Sequence, residues 1–239
     1  MSSAPPTLLV VTGLQREARI ARGPGVVTVC SGGNALLLQK RLSALAPAAR
    51  NGSGAPAIGG VLSFGLAGGL APHLKSGDLV ISSSVQCAAD HHEAHRGWHE
   101  AVASALDAKL TAHRGKTAGH NLVLAKTSEK DAMHRQTGAL AVDMESHIAA
   151  AYARAHNLPF VAIRAISDCS TRSLPPVATD ALTEDGSIAL RRVIMGLLRD
   201  TGQLPAMIAA GVDSERAFSS LRRCRRLLGP LFGLSRADL

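Results

Sequence analysis

Short, nearly unbroken apolar runs recur along this chain: TLLVVTG from Thr7, VVTVCSG from Val26, GVLSFGLAGG from Gly60, DLVISSSVQ from Asp78, NLVLAKTS from Asn121, ALAVDMES from Ala139 and PFVAIRAISD from Pro159. A strand with one wet face alternates apolar and polar residues, so unbroken runs predict strands covered on both faces. Helix-like segments separate several of them. Leu37, Leu38, Leu42 and Leu45 in NALLLQKRLSALA fall at helical spacing, as do Val102, Leu106 and Leu110 in HEAVASALDAKLTAH. SHIAAAYARAHN reads as a crossover helix that stops at Asn157 and Pro159. Strands alternating with helices imply an α/β fold with a mostly parallel sheet whose ligands bind at the carboxyl ends of the strands.

With 239 residues the chain is long enough for one large α/β domain or two small ones, and length does not choose between them. Aromatic residues are only 3% of it, which argues against stacking platforms for single-stranded nucleic acid. Lys and Arg exceed Asp and Glu to give a net charge of +8, which suits an anionic partner without saying which. Cys30, Cys87, Cys169 and Cys224 form no CxxC pair, so neither a zinc knuckle nor a disulfide framework is indicated, and a reducing cytoplasm fits. The beginning, MSSAPPTLLVVTGLQ, lacks a basic region and a signal-length apolar stretch. The Gly-, Ala- and Pro-rich stretch from Ala48 to Gly60 reads as a surface loop.

From Ile188 the pattern turns helical, through IALRRVIMGLLRD and then a basic tail. Residues 1–200 are expected to form the catalytic domain and 201–239 a basic helical extension packed on it. On a tail helix Phe218, Leu221 and Leu228 line one side while Arg222, Arg225 and Arg226 spread over the rest. A capping helix with a solvated basic face and a membrane-surface contact are both compatible with that pattern.

Acidic residues close three of the runs. Glu145 follows ALAVDM, Asp168 follows FVAIRAIS, and Glu17 follows the first run in VVTGLQREARIA, which would gather all three on one rim of a parallel sheet. Glycine turns, SGGNA at Ser31 and FGLAGGL at Phe64, would let backbone N–H groups approach an anion or a sugar oxygen. Neither turn fits G-x-G-x-x-G, so a dinucleotide fingerprint is not supported. His91, His95 and His99 in DHHEAHRGWHE would stack at i, i+4 and i+8 if helical, but the order is not H-E-x-x-H. A polar loop at the site mouth is expected there, with no metal and with Trp98 anchoring the next helix.

The ordered set FGLAGG, VDMES and RAISD, spanning about Thr7 to Leu198, resembles the purine nucleoside phosphorylase and methylthioadenosine/S-adenosylhomocysteine nucleosidase superfamily. TGLQREARIA, TGALAVDMESHIAAAYA, AISDCSTRSLPP and the Arg-rich tail are most similar to the hopanoid-associated phosphorylases, which release adenine from adenosylhopane. The resemblance implies a three-layer α/β/α sandwich around a mostly parallel, mixed central sheet, and a homo-oligomer. It implies that Asp168 protonates or hydrogen-bonds purine N7, with Ser167 holding its carboxyl. Glu145 would accept hydrogen bonds from the ribose hydroxyls, Met144 would pack on the sugar, and Glu17 would position an attacking water. No cofactor is implied, and inorganic phosphate is a candidate co-substrate.

The phosphorylases' arginine and serine around the third run are replaced here by Ser63 and Leu66. Arg16 or Arg19, with the amides of Gly32, Gly33, Ala67 and Gly68, would be the substitute phosphate or sugar-oxygen contacts. Phosphate and water thus both stay open as nucleophile. The expected partner is a small or lipid-linked adenine nucleoside, with peripheral inner-membrane contact through the tail and no nucleic acid; a soluble thioadenosine nucleosidase and a non-catalytic nucleoside-binding protein are the alternatives.

Overall fold

The computed structural model describes residues 7–45, 57–175 and 200–234, among which lie eight strands and six α-helices. The strands are β1 (Thr7–Thr12), β2 (Val26–Cys30), β3 (Ile58–Gly69), β4 (Leu79–Cys87), β5 (Asp90–Glu93), β6 (Ala112–Gly119), β7 (Ala141–Asp143) and β8 (Phe160–Asp168). The helices are α1 (Gln15–Ala21), α2 (Ala35–Ala44), α3 (Arg96–Leu106), α4 (Thr127–Thr137), α5 (Ser146–Ala155) and α6 (Leu204–Leu228).

Alternate residues of one unbroken run feed two different cores. Leu8 and Val10 of β1 join Leu62, Phe64 and Ile81 beneath Trp98 and Val102 of α3 and Phe218 and Leu221 of α6. Leu9 and Val11 point the other way, onto Val61, Leu38 and Leu42 of α2, and Ile148 and Ala149 of α5. Helices therefore cover both faces, as the apolar runs require. Trp98 is fully buried, and its indole N–H donates to the Phe232 carbonyl at 2.8 Å, tying α3 to the segment after α6.

The sheet order is β2-β1-β3-β7-β6-β4-β5, with β8 pairing to both β3 and β4, so the ladder closes on itself through β3, β7, β6, β4 and β8. Five of the ladders are parallel, while β3·β7, β4·β5 and β4·β8 are antiparallel. This revises the expected reason why Glu145 and Asp168 should meet. β7 runs opposite to β3, whereas β8 runs along it, so their ends share no rim of parallel strands. They converge because Gly68, near the end of the long β3, pairs with Val142 on one side and Asp168 on the other.

Other expectations also change. NLVLAKTS forms no strand: its residues 121–126 are a loop, and Thr127 and Ser128 begin α4. The helix expected to continue to His113 ends at Leu106, and AHRGKTAG becomes β6. Its outer half carries Arg114 and Lys116 on exposed positions, which erased the apolar signal. His91 lies on β5, and His95 is the N-cap of α3, accepting from the Trp98 amide, so the three histidines share no helix face. No metal-binding cluster occurs among the described residues. The helix expected from Ile188, save for Asp200, and residues 48–56 of the expected loop lie outside the described residues.

Candidate active site

A cavity of about 430 Å³ opens where β1, β3, β7 and β8 end, with α6 as its far wall. Glu17, Glu145, Met144, Ser167, Asp168, Gly33, Ala67, Gly68 and Arg16 all line it. Gly32 and Arg19 do not. Gly32 instead makes the turn: Gly32 and Gly33 have φ of 66° and 71°, which glycine adopts without steric penalty. That turn sets Ser31 Oγ to donate to Glu145 Oε1 at 2.7 Å.

Glu17 is the most unusually placed acid. Its Oε2 accepts the backbone N–H groups of Gly13 and Leu14, both at 2.8 Å, and its Oε1 accepts that of Leu66 at 2.8 Å. The first two bonds cap α1, and the third carries the carboxyl across to β3. Burial and then the nearby charge of Glu145 push its pKa up to about 7, against the lowering effect of those N–H groups and of Arg164. Such a carboxyl changes charge near neutrality, as a general base must.

Glu145 sits two residues beyond β7, at the N-cap of α5. Asp143 holds the turn: its Oδ1 accepts from the amides of Glu145 and Ser146 at 2.9 and 2.7 Å. Burial raises the Glu145 pKa, opposed mainly by Arg164. Gly13 must lack a side chain here, because a Cβ would stand 2.9 Å from Glu145 Oε1.

Arg164, in the middle of β8, is fully buried and was not singled out from the sequence. Its Nε lies 2.7 Å from Asp143 Oδ2, its Nη1 lies 3.7 Å from Glu145 Oε2, and its Nη2 donates to Ser63 and Ser146 hydroxyls. One guanidinium thus neutralises part of a cluster that would otherwise be strongly anionic. Its sequence signal was a lone arginine inside an apolar strand run.

Asp168 ends β8. Its Oδ1 accepts from Ser167 Oγ at 2.7 Å, and its Oδ2 lies 2.5 Å from Lys130 Nζ on α4. Lys130 of α4 was also not singled out from the sequence.

The basic tail contributes directly. Met207, Ala210, Gly211, Ser214, Glu215 and Phe218 of α6 line the cavity. Ion pairs fasten the helix on either side: Arg172, after β8, to Asp213, and Arg16 of α1 to Glu215. Arg16 is the only basic side chain lining the cavity among the described residues, and both its terminal nitrogens face Glu215 while its guanidinium stacks 4.0 Å from the Phe218 ring. Arg225, expected on the solvated face, turns inward, over Phe232 and onto the Ala21 carbonyl.

Solved structures share this architecture. A Helicobacter pylori methylthioadenosine nucleosidase mutant with 5′-methylthioadenosine in its active site matches at a TM-score of 0.62 and 13% identity, over 82% of this chain and 100% of that one. Futalosine hydrolase of the same species matches at 0.61 and 15%, over 80% and 98%. S-adenosylhomocysteine nucleosidase from Streptococcus pyogenes, in complex with 5-methylthiotubericidin, matches at 0.59 and 15%, over 93% and 98%. At these identities the likeness is one of fold. The model of one sequence family, described as the phosphorylase superfamily, matches residues 20–198, a stretch containing Glu145, Arg164 and Asp168 and most of the sheet. The chain belongs to the phosphorylase superfamily.

Proposed function

We propose that the protein hydrolyses the N-glycosidic bond of an adenine nucleoside whose 5′ substituent is large and apolar, adenosylhopane being the substrate favoured, and so releases adenine and a ribosyl hopanoid in hopanoid side-chain biosynthesis. The observation that carries this reading is the pairing of buried carboxyls with an apolar wall in one cavity. Cleavage builds positive charge on the sugar and negative charge on the departing purine. Glu145 and Glu17 suit the first, since a fixed carboxylate stabilises an oxocarbenium-like ring. Asp168 suits the second, as a hydrogen-bond or proton donor to N7.

Water is favoured over phosphate as nucleophile. Glu17 and Glu145 line the cavity, and the single lining cation among the described residues, Arg16, is already paired with Glu215. Desolvated like charges disfavour a phosphate dianion there. Ionised Glu17 would instead take a proton from water as it attacks C1′, while Asp168, having taken a proton from solvent, gives it to the leaving base.

The lipid-like substituent is supported by the opposite wall. Leu122, Val123, Leu124, Leu174, Met207 and Phe218 line the cavity, and Leu122 remains 70% exposed at its mouth. On α6 Leu204, Ile208 and Val212 are exposed at successive turns, a stripe that single scattered apolar residues would not make. An open depression between α1 and α6 is lined by Arg19, Arg222, Arg223 and Arg226, beside Arg16 and Arg225, which are already engaged by Glu215 and by the Ala21 carbonyl. Apolar side chains beside arginines match the interface of an anionic bilayer, where each basic residue contributes about 1 kcal/mol. No helix among the described residues is long and apolar enough to cross a membrane.

The test is adenine release from adenosylhopane in anionic liposomes, with and without phosphate, against methylthioadenosine. Phosphate-independent release that favours the lipid substrate is expected. A strict phosphate requirement with a sugar 1-phosphate product would overturn hydrolysis, and preference for methylthioadenosine would move the protein to the soluble thioadenosine nucleosidases.

A further inference from the structure

We propose that Lys130 is a positioning residue for departure of the base, acting through Asp168; the inference rests on the reading of Asp168 as the group that meets adenine. Lys130 is the one buried residue of α4, and its side chain has no exposed surface. Lysine is almost never fully buried unless paired. Here the ammonium spends all three of its hydrogens: on Asp168 Oδ2 at 2.5 Å, on the Cys169 carbonyl at 3.0 Å and on the Arg172 carbonyl at 3.1 Å.

A contribution to stability alone accounts poorly for this choice. A buried ion pair roughly breaks even against an apolar side chain of similar volume, because desolvation offsets the attraction. The geometry points to orientation instead. With Oδ2 held by Lys130 and Oδ1 by Ser167 Oγ, the Asp168 carboxyl is fixed at both oxygens and cannot swing about its χ2 torsion. The same ammonium gathers the carbonyls that follow β8, so the backbone carrying the carboxyl is fixed as well. Gly68 leaves the carboxyl its room, since a Cβ there would lie 3.3 Å from Oδ2. Lys130 therefore sets where Asp168 stands toward the base, without touching substrate and without giving up a proton; the proton that Asp168 hands to N7 is one its carboxyl has first taken from solvent. A positioned acid matters in proportion to how badly the leaving group needs protonation.

The experiment compares two leaving groups on one sugar: 5′-octylthioadenosine, whose adenine needs protonation, and the same 5-octylthioribose carrying p-nitrophenolate, which departs unaided. Lys130→Met is expected to lower kcat for adenine release about 100-fold with KM little changed, and to leave p-nitrophenolate release near the wild-type rate. Lys130→Gln, which keeps hydrogen-bond donors without the charge, should fall between and serves if the methionine variant folds poorly. Lys130→Met combined with Asp168→Asn should be no slower than Asp168→Asn alone, because the two act as a unit. Equal losses on both leaving groups in the Lys130 variants, while Asp168→Asn still discriminates between them, would overturn the proposal alone. Equal losses in Asp168→Asn itself would remove the role of Asp168 and the Lys130 proposal with it.

Discussion

At the scale of single residues, the site is a set of carboxyls held at close quarters by groups that leave them no room. Gly65 shows how tight this is: a Cβ would stand 2.7 Å from Glu17 Oε2 and 2.8 Å from Arg164 Nη1, neither of which is a free chain end. Gly65→Ala should therefore destabilise the protein by about 1–3 kcal/mol, the usual cost of overpacking, and impair turnover; denaturation midpoints equal to wild type would show that the carboxyl can retreat. Asp168→Asn should reduce adenine release by about 100- to 10,000-fold while nucleoside binding persists. Calorimetric titration beside single-turnover rates separates these, and unchanged turnover would rule out the acid role. Because burial pushes the Glu17 pKa up to about 7 and the proposed base works as its anion, kcat/KM should climb as pH passes through that value. A profile flat from about pH 6 to 8 would take Glu17 out of the base role.

At the scale of elements, α6 joins three tasks in one helix. Its second half packs Phe218, Leu221 and Leu228 into the core, its first half walls the cavity, and Leu204, Ile208 and Val212 face outward. Replacing those three by serine should leave folding intact, since exposed positions contribute little to stability. Liposome association should drop about tenfold or more, as each apolar chain withdrawn from the interface forfeits part of its ~1.5–3 kcal/mol of burial. KM should rise for a liposome-borne nucleoside and stay put for a short-chain soluble one. Cosedimentation that is indifferent to the triple replacement would separate the apolar stripe from any membrane role.

At the scale of the whole molecule, burying Glu17 couples folding to pH. Its folded-state pKa lies at about 7 against an ordinary 4.5, so between those values the folded chain binds more protons than the unfolded one. Stability should accordingly fall as pH rises from about 4.5 to 7, by up to about 3 kcal/mol from this group, and Glu145 is shifted in the same direction. Glu17→Gln should flatten that slope; urea denaturation at pH 5 and pH 8, about the two ends of the window, measures it, and an unaltered slope would refute the assignment. The acidic residues and glycines that line the cavity stood out in the sequence because each follows a strand-like run or sits in a glycine turn, and those signals are local, whereas the apolar wall and the α6 lining carried none. Local pattern also foretold the two-sided sheet, since an unbroken apolar run has no wet face to offer. What no local pattern held was the partnership of distant groups. Lys130 gives no local signal, Arg16 looks like a free cation, and Ala112 and His113 of β6 look like the end of a helix, until the ladder that closes through β3, β7, β6, β4 and β8 brings Asp168 against Lys130 and α6 brings Glu215 against Arg16. The sequence by itself determined that most of the apolar runs are buried strands and which acids follow them; the tertiary structure alone decided which charges are paired, because pairing depends on distances that strand order and helix packing create.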